Sequence, residues 1–175
     1  GVDDSAELLM DDLMQAGDGI SNLEAVKIVA EEGPALVEDF LVKRAGVPFA
    51  RSAQGDYEFA REGGHSEHRI FHHKDNTGFE IQNTLSKKAK IHPNIDIYEG
   101  YFAIDIITQH HLGKLVKRYF SDIECYGAYA LELKSGITHK FLSRVTLIAT
   151  GGIGNLYHIT TNPLIATGDG IAMVY

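Results

Sequence analysis

Cysteine is almost missing from this sequence: Cys125 stands alone among 175 residues. One thiol cannot build an internal disulfide framework, and its isolation points to a reducing, cytoplasmic setting. With Glu124 and Tyr126 on either side in a strand-like run, Cys125 is expected to be a buried structural thiol and not a nucleophile. Basic residues are also scarce. Sixteen Lys and Arg face 24 Asp and Glu, a net charge of −8 with histidine neutral. That balance excludes nucleic-acid binding through a broad basic surface, while leaving room for one local anion site. No apolar run approaches the roughly 20 residues of a membrane span. The acidic opening GVDDSAELL is unlike a signal peptide, and there is no repeat or low-complexity tract. A starting methionine is lacking, and the closing GDGIAMVY reads as the first turns of a helix, so both ends are expected to continue.

What is present suffices for a folded domain. Hydrophobic residues make up 44% of the chain, enough to exclude wholesale disorder and to build a core. Leu8, Leu9, Asp12, Leu13 and Ala16 fall at helical spacing, the apolar four on one face, with Gly17 a stop. Ser21-Asn22-Leu23-Glu24 forms a capping-box pattern for a second helix. Gly33-Pro34 should break it, since proline suits the first turn of a new helix better than an interior. Two consecutive helices ending at Gly46 follow from that.

From Val47 the texture changes to loop with short extended pieces near 47–49 and 57–60. RIFHH reads as a strand. TGFEIQNTLSKKAKIH reads as a helix capped by Thr77, with Glu80 three residues on, ending at His92-Pro93-Asn94. IDIYEG, YFAIDIIT, IECYGAYALEL, ITHKFL and VTLIAT read as strands, with a turn at Lys134-Ser135-Gly136. The last stretch, TTNPLIATGDGIAMVY, is loop and then helix start.

Thirteen residues, REGGHSEHRIFHH, hold four of the nine histidines: His65, His68, His72 and His73. His68 and His72 have the i, i+4 spacing of a helical metal pair. In a loop followed by a strand, however, that spacing separates them by about 13 Å. No transition-metal site is expected. Surface or core hydrogen bonding is the default for His68, His72, His73, His110 and His111. Taken alone, Glu62 would be a solvated loop acid and GGIG a turn.

Glycines follow the VTLIAT strand in GGIGN, but the full GxGxxG spacing is lacking, and no strand–GxGxxG–helix precedes it. Taken together and in order, REGGHSEHRIFHHKDNTG, ATGGIGNLYHITTNP and TGDGIAM are more specific. They resemble the flavoprotein family that contains L-aspartate oxidase and the flavoprotein subunits of succinate dehydrogenase and fumarate reductase. The resemblance runs from the first helices to the end of the chain. It implies an α/β (α+β) fold: a partial FAD-binding Rossmann-like domain with a β-meander and N-terminal helices, its first βαβ half missing. Residues 1–175 then form a single part of that domain, with a helical segment at 1–46 and the substrate loop, meander and glycine motifs in 47–175.

The resemblance also implies residue roles. REGGHS looks like the aspartate oxidase version, because the dicarboxylate enzymes typically carry an apolar aromatic where this chain has Glu62. Aspartate brings an α-ammonium that a carboxylate attracts, whereas succinate brings only anions. Glu62, Gly64 and His65 are the expected substrate-side residues, with Gly63 and Gly64 allowing close backbone approach. Ala103, Ala149, Thr150, Gly151, Gly152, Asn162 and Asp169 are the expected FAD-side residues, with Thr161 beside Asn162. The implied reaction moves hydride from Cα of L-aspartate to the flavin, giving iminoaspartate for NAD synthesis and a functional link to quinolinate synthase. Catalytic residues are expected after Tyr175 and none within this chain. As an isolated piece the chain is expected to be inactive and to lack FAD. The alternatives are a fumarate reductase or succinate dehydrogenase type of flavoprotein and a non-catalytic structural piece.

Overall fold

The computed structural model describes residues 4–117, 119 and 122–175. They divide into two compact units, Gly1–Ile97 and Tyr98–Tyr175.

The first unit begins with α1 (Ala6–Ala16), capped by the Ser5 hydroxyl, which accepts the Leu8 N–H at 3.1 Å, and ended at Gly17. α2 (Leu23–Leu36) starts one residue later than the capping-box pattern suggested: Asn22 is the cap, and its Oδ1 accepts the Ala25 N–H at 3.0 Å. Gly33-Pro34 does not break the helix. Pro34 lies inside α2, and the chain runs on into a π-helical segment, Val37–Ala45. Pro34 has no N–H to give to the carbonyl four residues back. The hydrogen-bond ladder downstream takes the wider i→i+5 pattern, and the helical run continues without an intervening loop. Gly46 ends the segment, its N–H donating to the Leu41 carbonyl.

β1 (Phe59–Ala60) and β2 (Ile70–Phe71) pair antiparallel, Phe59 opposite Phe71. The strand expected across RIFHH is therefore only two residues long. α3 (Thr77–Ile91) follows, with Asn76 at the cap position. Thr77 is not the cap but the first helical residue, and its Oγ1 accepts the His73 N–H at 3.0 Å. The unit closes around buried Ala45, Val47 and Phe49, against which Leu41, Val42, Tyr57, Phe71, Ile81 and Leu85 pack. Phe71 centres an aromatic group, its ring 4.9 Å from both Phe49 and Phe59.

The second unit is a meander of β3 (Tyr101–Thr108), β4 (Cys125–Glu132) and β5 (Thr138–Leu142) in that order, antiparallel throughout. A turn over residues 133–135 joins β4 to β5. The register between β3 and β4 slips between Ala103 and Asp105 and again between Ile107 and Thr108. Cys125 is exposed, not buried as expected; it opens β4, and its Sγ lies 3.3 Å from Thr146 Oγ1. Two expected strands do not form. IDIYEG and VTLIAT are both outside regular structure. Their apolar side chains remain exposed, largely so in VTLIAT at Leu147 (85%) and Val145 (83%) and about half so in IDIYEG at Ile95 (45%) and Ile97 (46%). A strand needs a ladder of partners for its N–H and C=O groups; the Leu133 N–H donates to the Gly100 carbonyl at 3.0 Å, but among the described residues neither segment joins a sheet. α4 (Asp169–Val174) ends the chain and lies against β3.

Candidate functional site

The residues expected from the sequence to carry chemistry fall in two groups, one in each unit.

In the first unit the segment 61–69 folds as a tight loop. The His65 N–H donates to the Glu62 carbonyl at 3.1 Å, which turns the chain back through Gly63 and Gly64. Gly64 has φ +83, in the region that favours glycine, and a Cβ there would stand 3.5 Å from the Ala16 Cβ on α1. The position thus needs glycine for its backbone angle. Glu62 is exposed on this turn, and His65 is half-buried.

The loop is fastened from below by four residues. Asp12, the buried residue of α1, accepts two hydrogen bonds from Ser66 on one oxygen: from the backbone N–H at 2.8 Å and from the hydroxyl at 2.9 Å. Arg69 Nη1 reaches the same oxygen at 2.5 Å. Its Nε and Nη2 hold Asp4 at 3.0 and 2.7 Å. The Arg69 side chain is 8% exposed and that of Asp12 10%, so this is a largely buried network. A buried guanidinium needs such pairing, since one left unpaired would cost several kcal/mol. The Ser66 backbone N–H holds the Asp12 carboxyl below the usual carboxylate range; burial opposes this, and Arg69 adds to it. Hydrogen bonds to Asp4, opposed by burial and reinforced by Asp12, raise the Arg69 pKa. Arg69 Nη1 also lies 3.4 Å from His65 Nδ1.

Asp4, Asp12, Ser66 and Arg69 carried no assigned role in the sequence reading. The available signal was Asp12 itself, an acid among Leu8, Leu9, Leu13 and Ala16. A charge on the apolar stripe of a helix needs a buried partner, and Arg69 is that partner. The histidines disperse: the His73 ring is hydrogen-bonded to the Pro48 carbonyl. Among the described residues, no three His, Cys, Asp or Glu side chains gather as a metal-holding group.

In the second unit the glycine motifs come together. A Cβ at Gly170 would stand 1.8 Å from Thr150 Oγ1, and one at Gly168 would stand 2.7 Å from Ile153 Cγ2. ATGG and TGDG are therefore in contact, and bare glycine backbone permits it. Asn162 lies against Gly154, where a Cβ would meet its Nδ2 at 2.4 Å. The Asn155 N–H donates to the Ala166 carbonyl at 2.9 Å, closing the loop between the motifs. Around Gly151 and Gly152 the space is open: nothing lies within 4 Å of where a Cβ would be. Ala149 is exposed, as is Asp169, which accepts from the Thr167 hydroxyl. Ala103 sits on β3, the strand against which α4 lies, and is opposite Ala130. Open backbone at Gly151 and Gly152 leaves room for close approach of a ligand, and the exposed Asp169 carboxylate, with Oδ2 engaged by Thr167, keeps acceptor capacity for a ligand hydroxyl. A separate open groove of about 610 Å3 on the meander is lined by Ile107, Leu112, Tyr126, Lys140, Leu142, Ser143 and Arg144, and none of the expected site residues lines it.

The family profile described as FAD binding domain matches residues 1–175, the whole chain. The chain belongs to the FAD binding domain family. That membership assigns FAD as the cofactor, and the residues gathered around ATGG and TGDG fit it. Similar proteins include L-aspartate oxidase 1 of Ralstonia nicotianae, 41% identical over 98% of this chain and 31% of its own length. The L-aspartate oxidase of Acinetobacter baylyi is 42% identical over 98% of the chain and 30% of its own length. The chloroplastic L-aspartate oxidase of Arabidopsis thaliana is 40% identical over 98% and 25%. Among solved structures, an E. coli quinol fumarate reductase FrdA variant superposes with a TM-score of 0.80 at 27% identity, covering 98% of this chain and 27% of its own. The chain thus spans about a quarter to a third of the length of the curated relatives it matches. Among the described residues, no helix is long and apolar enough to cross a membrane.

Proposed function

We propose that this chain is the part of an FAD-dependent L-aspartate oxidase that carries the ammonium-reading loop and one side of the flavin site. The observation that carries the reading is Glu62, an exposed carboxylate on a turn closed by the His65 N–H and anchored through Ser66 to buried Asp12. The curated relatives named L-aspartate oxidase, 36–42% identical over almost the whole chain, support it.

Glu62 is acceptor-only when ionised, so it attracts the α-ammonium of aspartate by a charge-assisted hydrogen bond and repels a dicarboxylate that has no cation. Gly64 gives the turn its backbone angle, and His65 supplies a ring nitrogen to a substrate carboxylate. Ala103, Ala149, Thr150, Gly151, Gly152, Asn162 and Asp169 lie on the flavin side. FAD, when bound beside these residues, would supply the two-electron acceptor for the hydride of Cα, the amine nitrogen giving up a proton to solvent as it becomes the imine of iminoaspartate. Residues 1–175 alone contain no strand–GxGxxG–helix and are expected to hold FAD weakly and to be inactive. The proposed product, iminoaspartate, would feed a condensation of the kind quinolinate synthase performs, and the single unpaired Cys125 supports a reducing compartment such as the cytoplasm.

The test is anaerobic mixing of the full-length, FAD-loaded protein with L-aspartate or succinate. Loss of the yellow oxidised-flavin colour with L-aspartate alone supports the proposal. Bleaching by succinate alone favours the dicarboxylate alternative.

A further inference from the structure

The Arg69 network does more than fasten a loop. Its guanidinium has five N–H donors and no acceptor, and it stays charged. It is fixed on two sides, by Asp4 at Nε and Nη2 and by Asp12 at Nη1. The same Nη1 stands 3.4 Å from His65 Nδ1. A donor facing a ring nitrogen requires that nitrogen to accept, since an imidazole N–H there would set donor against donor. The ring proton must then sit on Nε2, which becomes a donor.

We propose that Arg69, held by Asp4 and Asp12, is a positioning residue that fixes His65 as the Nε2–H tautomer and so makes it a hydrogen-bond donor to a carboxylate beside Glu62. The identity of that carboxylate, the one on L-aspartate, rests on the function proposed above; the tautomer does not. The turn sets Glu62 and His65 in one loop, joined by a 3.1 Å backbone hydrogen bond. Glu62 therefore offers only acceptors and His65 offers a donor, which is the pairing an ammonium-bearing carboxylate requires. A second consequence concerns specificity. Lysine at position 69 would keep the charge but lose the planar fork, and it could not hold Asp4, Asp12 and His65 at once.

The experiment reads the tautomer directly. Full-length, FAD-loaded protein is labelled with 15N histidine, and long-range proton–nitrogen correlations report which ring nitrogen carries hydrogen. His65→Gln identifies the resonance. The wild type is expected to show an unprotonated, accepting Nδ1 and a protonated Nε2 at His65, with no substrate added. Arg69→Lys is expected to give a mixture of tautomers and to lower kcat/KM for L-aspartate about tenfold with FAD retained. A wild-type His65 protonated at Nδ1 overturns the proposal, as does an Arg69→Lys protein whose His65 tautomer is unchanged. Should Arg69→Lys fail to fold, the wild-type spectrum decides alone. The predicted tautomer in a protein whose flavin L-aspartate fails to bleach would leave the positioning role standing and remove only the substrate reading.

Discussion

Ser66 donates twice to one oxygen of Asp12, through its backbone N–H at 2.8 Å and its hydroxyl at 2.9 Å. These residues lie 54 positions apart, so the contact ties the loop of the first unit to its first helix. Without it the turn carrying Glu62 would be a surface excursion with little to order it. Such loops open at low free-energy cost.

This contact gives the molecule an acid limb. The Ser66 N–H lowers the folded-state pKa of Asp12. A carboxyl whose folded pKa is lowered contributes stability above its unfolded value of about 3.9, and that contribution disappears as pH falls through the lowered folded value. Asp12→Asn is neutral at every pH. Thermal denaturation followed by circular dichroism should therefore show wild type above Asp12→Asn by a constant margin from neutral pH down to about 4, and a shrinking margin below it. A margin independent of pH down to strong acid would contradict the assignment.

The contact between the two glycine motifs makes a second prediction. Gly170 is buried, and a Cβ there would stand 1.8 Å from Thr150 Oγ1. Gly170→Ala should destabilise by about 1–3 kcal/mol, the usual cost of overpacking. Thr150→Ala should recover part of that loss, since it removes the clashing oxygen. A double mutant no more stable than Gly170→Ala alone would mean that the motifs are not in contact.

Gly127 should be less forgiving. It lies on β4 opposite Leu142 with φ +136, and a Cβ would fall 1.9 Å from the Phe141 carbonyl oxygen. The obstacle is backbone and cannot rotate away. Gly127→Ala adds backbone strain of about 1–3 kcal/mol to that clash, so it should lower the Tm further than Gly170→Ala. Equal melting points would show that the β4–β5 pairing yields at Gly127.

Local signals proved legible where the stabilising partner is local. α1 with its stop at Gly17, the end of α3 at His92 and the three meander strands follow from periodicity and turn residues alone. The readings that failed depend on distant groups. VTLIAT has the apolar character of a strand, but strand formation needs a neighbour, and none is supplied among the described residues. Gly33-Pro34 signals a break, yet the helix survives because its hydrogen-bond ladder can widen downstream. The glycine motifs could be found as sequence, but not the packing of Thr150 on Gly170. REGGHS points to Glu62 and His65 as candidates. Arg69, which sets the His65 ring, could not be found that way, because its partner Asp12 lies 57 residues away.

The central claim is that Glu62 reads the amine of the substrate. It is tested most directly by kcat/KM of full-length Glu62→Gln with L-aspartate and with fumarate. Glutamine keeps the size and one acceptor oxygen but removes the charge that attracts an ammonium. Turnover of L-aspartate should fall by about one to two orders of magnitude, the worth of a charge-assisted hydrogen bond. Fumarate, which brings no ammonium, should react at an unchanged or higher rate. A pH profile of the variant then separates an effect on the protonated amine from one on the neutral amine. Equal losses with both substrates would contradict the account and reduce Glu62 to a residue that maintains the shape of the loop.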